Sequence, residues 1–176
     1  MKRVLVADTD VALPGKIRNW LGTDFRVSEA RNAKAAFQLA CEQRPDLILL
    51  GYLEPRGESF NLHKELRERE DTASIPLLVI DVAPQEHSRK GWRRIEGLQM
   101  DAEGYLCRPL EAQLLQTEVA RALDGGSAGM LSWARVLEQT EKALLREMNR
   151  WNGGRSQPGQ SPTLQPERRQ PAALRA

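Results

Sequence analysis

No stretch of this 176-residue chain approaches the roughly 20 consecutive apolar residues needed to span a bilayer. No signal peptide is expected. Met1-Lys2-Arg3-Val4-Leu5-Val6 enters an apolar strand at once and meets Asp8 too soon for a cleavable apolar segment. A cytoplasmic protein with no membrane partner is expected. Cysteine is scarce: Cys41 falls in a predicted helix and Cys107 in a predicted strand, which suits two buried thiols and not a disulfide. The only histidines, His63 and His87, share no metal-ligand spacing with them, which argues against zinc. The loop from Asp8 to Gly15 lacks the Gly-rich or Ser/Thr-rich cradle that a phosphate-bearing cofactor needs.

What is present suits one domain with an appendage. The hydrophobic fraction of 40% supports a core, and the charged fraction of 28% is ordinary. Net charge is +2 but uneven. From Asn152 onward Arg155, Arg168, Arg169 and Arg175 stand against Glu167, so the tail carries +3 and the preceding residues −1. The excess base lies in the tail, and no specific nucleic-acid partner is expected of the folded part.

Strands and helices alternate along the first two thirds. Val4–Ala7 is a strand, and Pro14 opens a helix whose inward face is Ile17, Trp20 and Leu21. Phe25–Ala30 is a second strand. Ala33–Gln43 is a helix with Ala36, Phe37, Leu39 and Ala40 inward. Asp46–Leu50 is a buried central strand followed directly by Gly51. Ser59 is the expected N-cap of a helix from Phe60 to about Arg69. Leu77–Ile80 is the fourth strand, a helix centred on Ile95, Leu98 and Gln99 follows, Gly104–Cys107 is the fifth strand, and Glu111–Leu123 is an amphipathic helix. Five strands and five helices in alternation predict a doubly wound five-stranded parallel sheet over residues 1–124. Residues 125–130 are the expected linker and 131–151 an amphipathic C-terminal helix with Trp133, Leu137, Leu144, Met148 and Trp151 on one seam. Residues 152–176 are poor in anything to bury and are expected to be disordered.

Four segments carry a resemblance: Val4 to Asp10, Pro45 to Gly51, Ile75 to Asp81 and Asp101 to Pro109. In order and approximate spacing, residues 3–124 resemble the receiver domain of bacterial response regulators, the CheY-like fold. The resemblance implies a two-component or phosphorelay signalling protein. In that family two acids after the first strand hold magnesium, and an aspartate ending the third strand accepts the phosphoryl group. A Thr or Ser after the fourth strand and a Lys before a proline after the fifth contact the phosphoryl group.

Against that pattern Asp8 matches the first acid, but Thr9 stands for the second and Gly51 for the acceptor. Asp81 stands for the Thr or Ser, and Arg108 for the Lys. Ser59 replaces a glycine common in the loop after the acceptor. A glycine cannot form an acyl phosphate, and one remaining carboxylate of three should hold magnesium weakly or not at all. The resemblance with these departures implies a pseudo-receiver: a protein-interaction module without phosphorylation, cofactor or turnover. Asp81 and Arg108 either pair across the emptied pocket or stand as solvated charges. A working receiver with Asp10 or Glu54 as an unorthodox acceptor, and a flavodoxin-like cofactor or nucleotide binder, are the alternatives.

Two surfaces are candidates for a protein partner. The run from His87 to Arg94 sets Arg89, Lys90, Arg93 and Arg94 around Trp92, either as a solvated basic loop or as a dock for an acidic partner with Trp92 as anchor. The C-terminal helix either folds back or pairs with another chain, including a second copy in a homodimer. Tyr105 matches the aromatic whose rotation accompanies phosphorylation in the family, or is a packed strand residue.

Overall fold

The chain is seen here as a computed structural model, which describes residues 1–92 and 94–125 and, beyond them, Leu145 alone. The expected C-terminal helix with Trp133, Leu137, Leu144, Met148 and Trp151, and the expected tail, lie outside the described residues, as does Arg93.

The strands are β1 (Lys2–Ala7), β2 (Phe25–Ala30), β3 (Leu47–Leu50), β4 (Leu77–Ile80) and β5 (Gly104–Leu106). They form one parallel five-stranded sheet in the order β2-β1-β3-β4-β5. Around it lie α1 (Leu13–Leu21), α2 (Ala33–Gln43), α3 (Glu58–Glu68), α4 (Glu70–Ala73), α5 (His87–Lys90), α6 (Arg94–Leu98) and α7 (Ala112–Leu123). Side chains alternate across the pleat, so each strand serves two cores. Leu5, Ala7, Ile48, Leu50, Leu77 and Val79 pack with Ala36, Ala40, Leu62 and Leu66 of α2 and α3. Val4, Val6, Leu47, Leu49, Leu78 and Ile80 pack with Ile17, Leu115 and Val119 of α1 and α7. Burial on both faces is why β3 and β4 are unbroken apolar runs.

Local chemistry sets the helix ends. Asn32 caps α2 by accepting the Ala35 N–H at 2.8 Å. Gly22, at φ 76°, ends α1 in a conformation that favours glycine. The expected cap at Ser59 is corrected: α3 starts at Glu58 after Gly57 (φ 92°), and Ser59 lies inside the helix, buried. Its hydroxyl donates to the Gly51 carbonyl at 2.7 Å and accepts the Leu53 N–H at 2.9 Å. The hydroxyl therefore satisfies the turn leaving β3 and leaves the helix N-terminus uncapped by a side chain. The single helix expected between β4 and β5 is also corrected. Short polar runs, with Gly91 at φ 62°, break that crossover into a 3₁₀ turn (Pro84–Glu86), α5 and α6.

Arg67 ties the opposite end of the domain together. Its guanidinium donates to the carbonyls of Ala73 (2.6 Å), Ile75 (3.0 Å) and Asp101 (2.6 Å). One turn earlier on α3, buried His63 accepts the Asp101 N–H at Nε2, 3.0 Å away. Both main-chain polar groups of Asp101 are thus held by α3, which fixes the approach to β5.

Candidate functional site

Strand register decides what meets at the carboxyl edge of the sheet. Ala7 lies beside Leu50, Leu50 beside Val79, and Ile80 beside Leu106. The residues immediately after these strands, Asp8, Gly51, Asp81 and the Cys107-Arg108 pair, converge where doubly wound sheets place their sites.

Arg108 is the hub. Its Nη2 lies 2.6 Å from Asp8 Oδ2, its Nη1 lies 2.9 Å from Asp10 Oδ2, and its Nε donates to the main-chain carbonyl of Asp81 at 3.1 Å. The Asp8 side chain is 1% exposed and that of Arg108 17%. The Asp8 carboxylate also accepts the Asp10 N–H at 2.7 Å, and Asp10 accepts the Ala12 N–H at 3.0 Å. The alternative of an Asp81–Arg108 ion pair is corrected here: the guanidinium spends its two terminal nitrogens on Asp8 and Asp10 and meets Asp81 through the backbone. The cause is reach, because the turn after β1 brings two carboxylates to the plane of the fork.

The two acids respond differently to this setting. Burial raises the Asp8 carboxyl above its ordinary value, although the positive charge of Arg108 and the Asp10 N–H pull the other way. Asp10 is less buried. Partial burial still opposes its ionisation, but the Ala12 N–H and Arg108 outweigh it and hold the carboxyl below its ordinary value.

Gly51 explains how Asp8 can lie where it does. A Cβ built on Gly51 would sit 1.7 Å from Asp8 Oδ2 and 2.7 Å from Asp8 Cγ. The Asp8 carboxylate fills the space that the first atom of any side chain at 51 would take. Thr9 faces the same edge through its main chain, donating to the Tyr52 carbonyl at 3.0 Å. Glu54 is exposed on the loop beyond.

Asp81 is wholly buried, with Oδ1 3.1 Å from His87 Nε2 on α5. Tyr105 is buried beside it. Burial, reinforced by the Asp81 charge, raises the Tyr105 phenol far above its ordinary value. Trp92 is 9% exposed and meets Tyr52 edge-on, ring centres 6.2 Å apart. The reading of Trp92 as an exposed anchor is therefore corrected: Gly91 turns the chain so that the indole enters the core. Arg89 and Lys90 both pair with Glu86, at 2.5 and 3.4 Å, and the Lys90 ammonium lies 5.0 Å over the Tyr52 ring. The side chain of Arg94 lies outside the described residues.

Sequence reasoning assembled Asp8, Gly51, Asp81 and Arg108, and missed two participants. Asp10 enters the sequence reading only as an alternative acceptor, although the Asp-x-Asp spacing on a turn signals a two-pronged arginine partner. His87 belongs by sequence to the basic run, and nothing in its spacing links it to Asp81.

The residues present do not fit the magnesium ion that the family resemblance implies. One carboxylate position is Thr9, another is Gly51, and the remaining acid already holds a guanidinium at 2.6 Å. Hard-cation sites need oxygen ligands facing an open centre, and here a cation of the protein takes that place.

An order of β2-β1-β3-β4-β5 with a charged cluster at the carboxyl edge defines the flavodoxin-like class of doubly wound domains. Comparison with known proteins narrows the class. No family model matches the chain. The transcriptional regulatory protein YdfI of Bacillus subtilis is 27% identical over 153 residues, which cover 85% of this chain and 67% of YdfI. The sensor histidine kinase TmoS of Ectopseudomonas mendocina is 28% identical over 143 residues, 81% of this chain but 14% of the kinase. The chain thus spans a small part of that relative. The crystal structure of a candidate response regulator of Chloroflexus aurantiacus superposes with a TM-score of 0.60 at 27% identity, covering 70% of this chain and 98% of that one. The described domain is a CheY-like receiver domain of the response-regulator kind. Among the described residues no helix is long and apolar enough to cross a membrane.

Proposed function

We propose that this chain is a response-regulator-like signalling module that acts by binding a protein partner, without being phosphorylated and without catalytic turnover. The observation that carries the reading is the position of Asp8. Its carboxylate fills the space beside Gly51 where an acceptor side chain would begin, 1.7 Å from an ideal Cβ, and it is neutralised by Arg108. Phosphoryl transfer needs a nucleophile, a divalent cation and a donor-lined pocket for the dianion. Gly51 offers no nucleophile. The buried Asp81 carboxylate opposes a second anion nearby. Magnesium is accordingly bound weakly or not at all. A homodimer through residues 131–151 is part of this proposal and is tested by comparing the sedimentation of the full chain with that of a chain ending at Leu123.

The direct test is incubation of the full chain with a small-molecule phosphodonor and magnesium, followed by intact mass. Titration with magnesium and beryllofluoride is then followed by amide NMR and Trp and Tyr fluorescence. No added phosphate and no localised response around Asp8, Gly51 and Asp81 are expected. A single added phosphate, or a saturable response to beryllofluoride confined to those residues, overturns the reading.

A further inference from the structure

Most acidic sites that lose ligands simply lose their cation. Here the arrangement is more specific, and we infer that Arg108 is a resident replacement for a divalent cation, bolting the turn after β1 to the turn after β5. The inference rests on the phosphorylation-independent reading above and adds a reason for the state in which the domain is held.

Three features support it together. The guanidinium uses three of its N–H directions on three separate groups: Asp8, Asp10 and the Asp81 carbonyl, at 2.6, 2.9 and 3.1 Å. All three acceptors are oxygens, the ligand type a hard cation collects, two of them from the turn after β1 and one from just past the end of β4. Arginine presents its donors in a rigid planar fork and is always charged, so it can serve two carboxylates at once. Next, Asp8 can reach Nη2 only because residue 51 has no Cβ. Gly51 and Arg108 are therefore two parts of one exchange: removing the side chain at 51 opens the space into which Asp8 turns to meet the arginine. Finally, the charge balance differs from that of a metal site. One guanidinium offsets one of the two carboxylates, and the Lys90 ammonium acts on Asp8 from the α5 side. A divalent ion entering the same place would have to displace a cation that is covalently part of the chain.

The consequence is structural. In a metal-loaded site the connection between the two turns is lost whenever the ion leaves. In this chain it is permanent, and the residues flanking it, Asp10 to Ala12 and Arg108 to Pro109, are held in one arrangement for any partner that meets this edge.

The test uses manganese as a paramagnetic probe on the full-length protein, read by water-proton relaxation and by broadening of amide signals. The unmodified chain should show no saturable manganese site at this edge. Arg108→Ala should gain one, at least about tenfold tighter than in the unmodified chain, with broadening centred on Asp8 and Asp10, and adding Asp8→Asn should remove it. A folded Arg108→Ala protein without that gain overturns the inference, as does an unmodified chain that binds manganese equally well through Asp8. Should Arg108→Ala not fold, side-chain NMR of the unmodified protein decides. Distinct, slowly exchanging Nη protons on Arg108 that average in Asp8→Asn support the bolt, and averaged Nη protons in the native chain refute it. Phosphodonor labelling is independent of both readouts. A labelled chain with the expected manganese behaviour would sink the function proposal alone, and an unlabelled chain with a native manganese site would sink this inference alone.

Discussion

The space beside Gly51, filled by the Asp8 carboxylate, supplies the sharpest prediction. Gly51→Ala adds one methyl group at a position whose backbone is not in the left-handed region. Elsewhere such a change is neutral or stabilises by about 0.4–1 kcal/mol, because the unfolded chain loses freedom. Here the new Cβ would lie 1.7 Å from Asp8 Oδ2, so the Asp8 carboxylate must leave. Its tip can rotate, which limits the steric cost, but rotation gives up the Arg108 bond at 2.6 Å and the Asp10 N–H bond at 2.7 Å. Overpacking costs about 1–3 kcal/mol, and breaking a buried pair costs about 3–5 kcal/mol. Arg108 is 17% exposed and keeps Asp10, so the upper figure is discounted. A loss of about 2–4 kcal/mol is expected, near 10 °C in Tm for a domain of this size. Urea unfolding of the single variants Gly51→Ala and Asp8→Ala and of their double variant measures it. In the Asp8→Ala background the methyl has nothing to strike, so the coupling between the two sites should exceed about 1 kcal/mol. A Gly51→Ala cost below about 0.5 kcal/mol, or the same cost with and without Asp8, refutes the placement of Asp8 beside Gly51.

The remaining predictions concern groups held elsewhere in the fold. Burial, helped by the Arg67 charge, lowers the His63 imidazole below its ordinary 6.5, so the folded state keeps it neutral where the unfolded chain is protonated. The stability this group contributes is present above pH 6.5 and is lost as pH falls through its folded value, and His63→Gln should flatten that slope in urea midpoints taken between neutral pH and about pH 5. Asp8 titrates with the opposite sign, its raised carboxyl favouring the fold at lower pH, and its effect is separated by repeating the series in Asp8→Asn. Trp92→Ala should cost about 3–5 kcal/mol in unfolding experiments, as for a core aromatic; a loss below about 1 kcal/mol would return Trp92 to the surface. Ser59→Ala leaves the Gly51 carbonyl and the Leu53 N–H without their shared hydroxyl and should cost about 1–3 kcal/mol.

The architecture was legible because parallel strands buried on both faces leave a plain mark. Leu47–Leu50 and Leu77–Ile80 are continuous apolar runs, each followed by a residue that the register then sets at one edge. Local polar chemistry was less legible. Ser59 before an apolar stripe has the pattern of a helix cap, yet the turn after β3 needed a buried hydroxyl more than the helix did. Trp92 inside a basic run has the composition of an exposed anchor, and only the direction of the chain at Gly91 carries it inward. Placement at the strand ends alone does not say which carboxylate Arg108 meets. Asp81 and Asp8 both converge on it from strand ends, and the space beside Gly51, which lets the Asp8 carboxylate reach Arg108, favours the pairing with Asp8.

That last point changes how the departures from the family pattern combine. Taken one at a time, glycine for an acceptor, threonine for an acid and arginine for lysine are separate losses. Taken with the distances, at least two of them depend on each other. Arg108 without the space at Gly51 would face an Asp8 turned elsewhere, and Gly51 without Arg108 would leave a buried carboxylate with no ion-pair partner beyond the weaker influence of Lys90. Restoring one position alone should therefore damage the fold without recovering the chemistry. Gly51→Asp in this chain would add a third carboxylate against Asp8 and Asp10 with one guanidinium to serve them all. It should unfold more easily than Gly51→Ala and remain unlabelled by a phosphodonor. Recovering the chemistry needs both the acceptor carboxylate and a vacated guanidinium site, as in Gly51→Asp with Arg108→Lys. If Gly51→Asp alone became labelled while keeping native stability, the mutual dependence of Gly51 and Arg108 would be wrong.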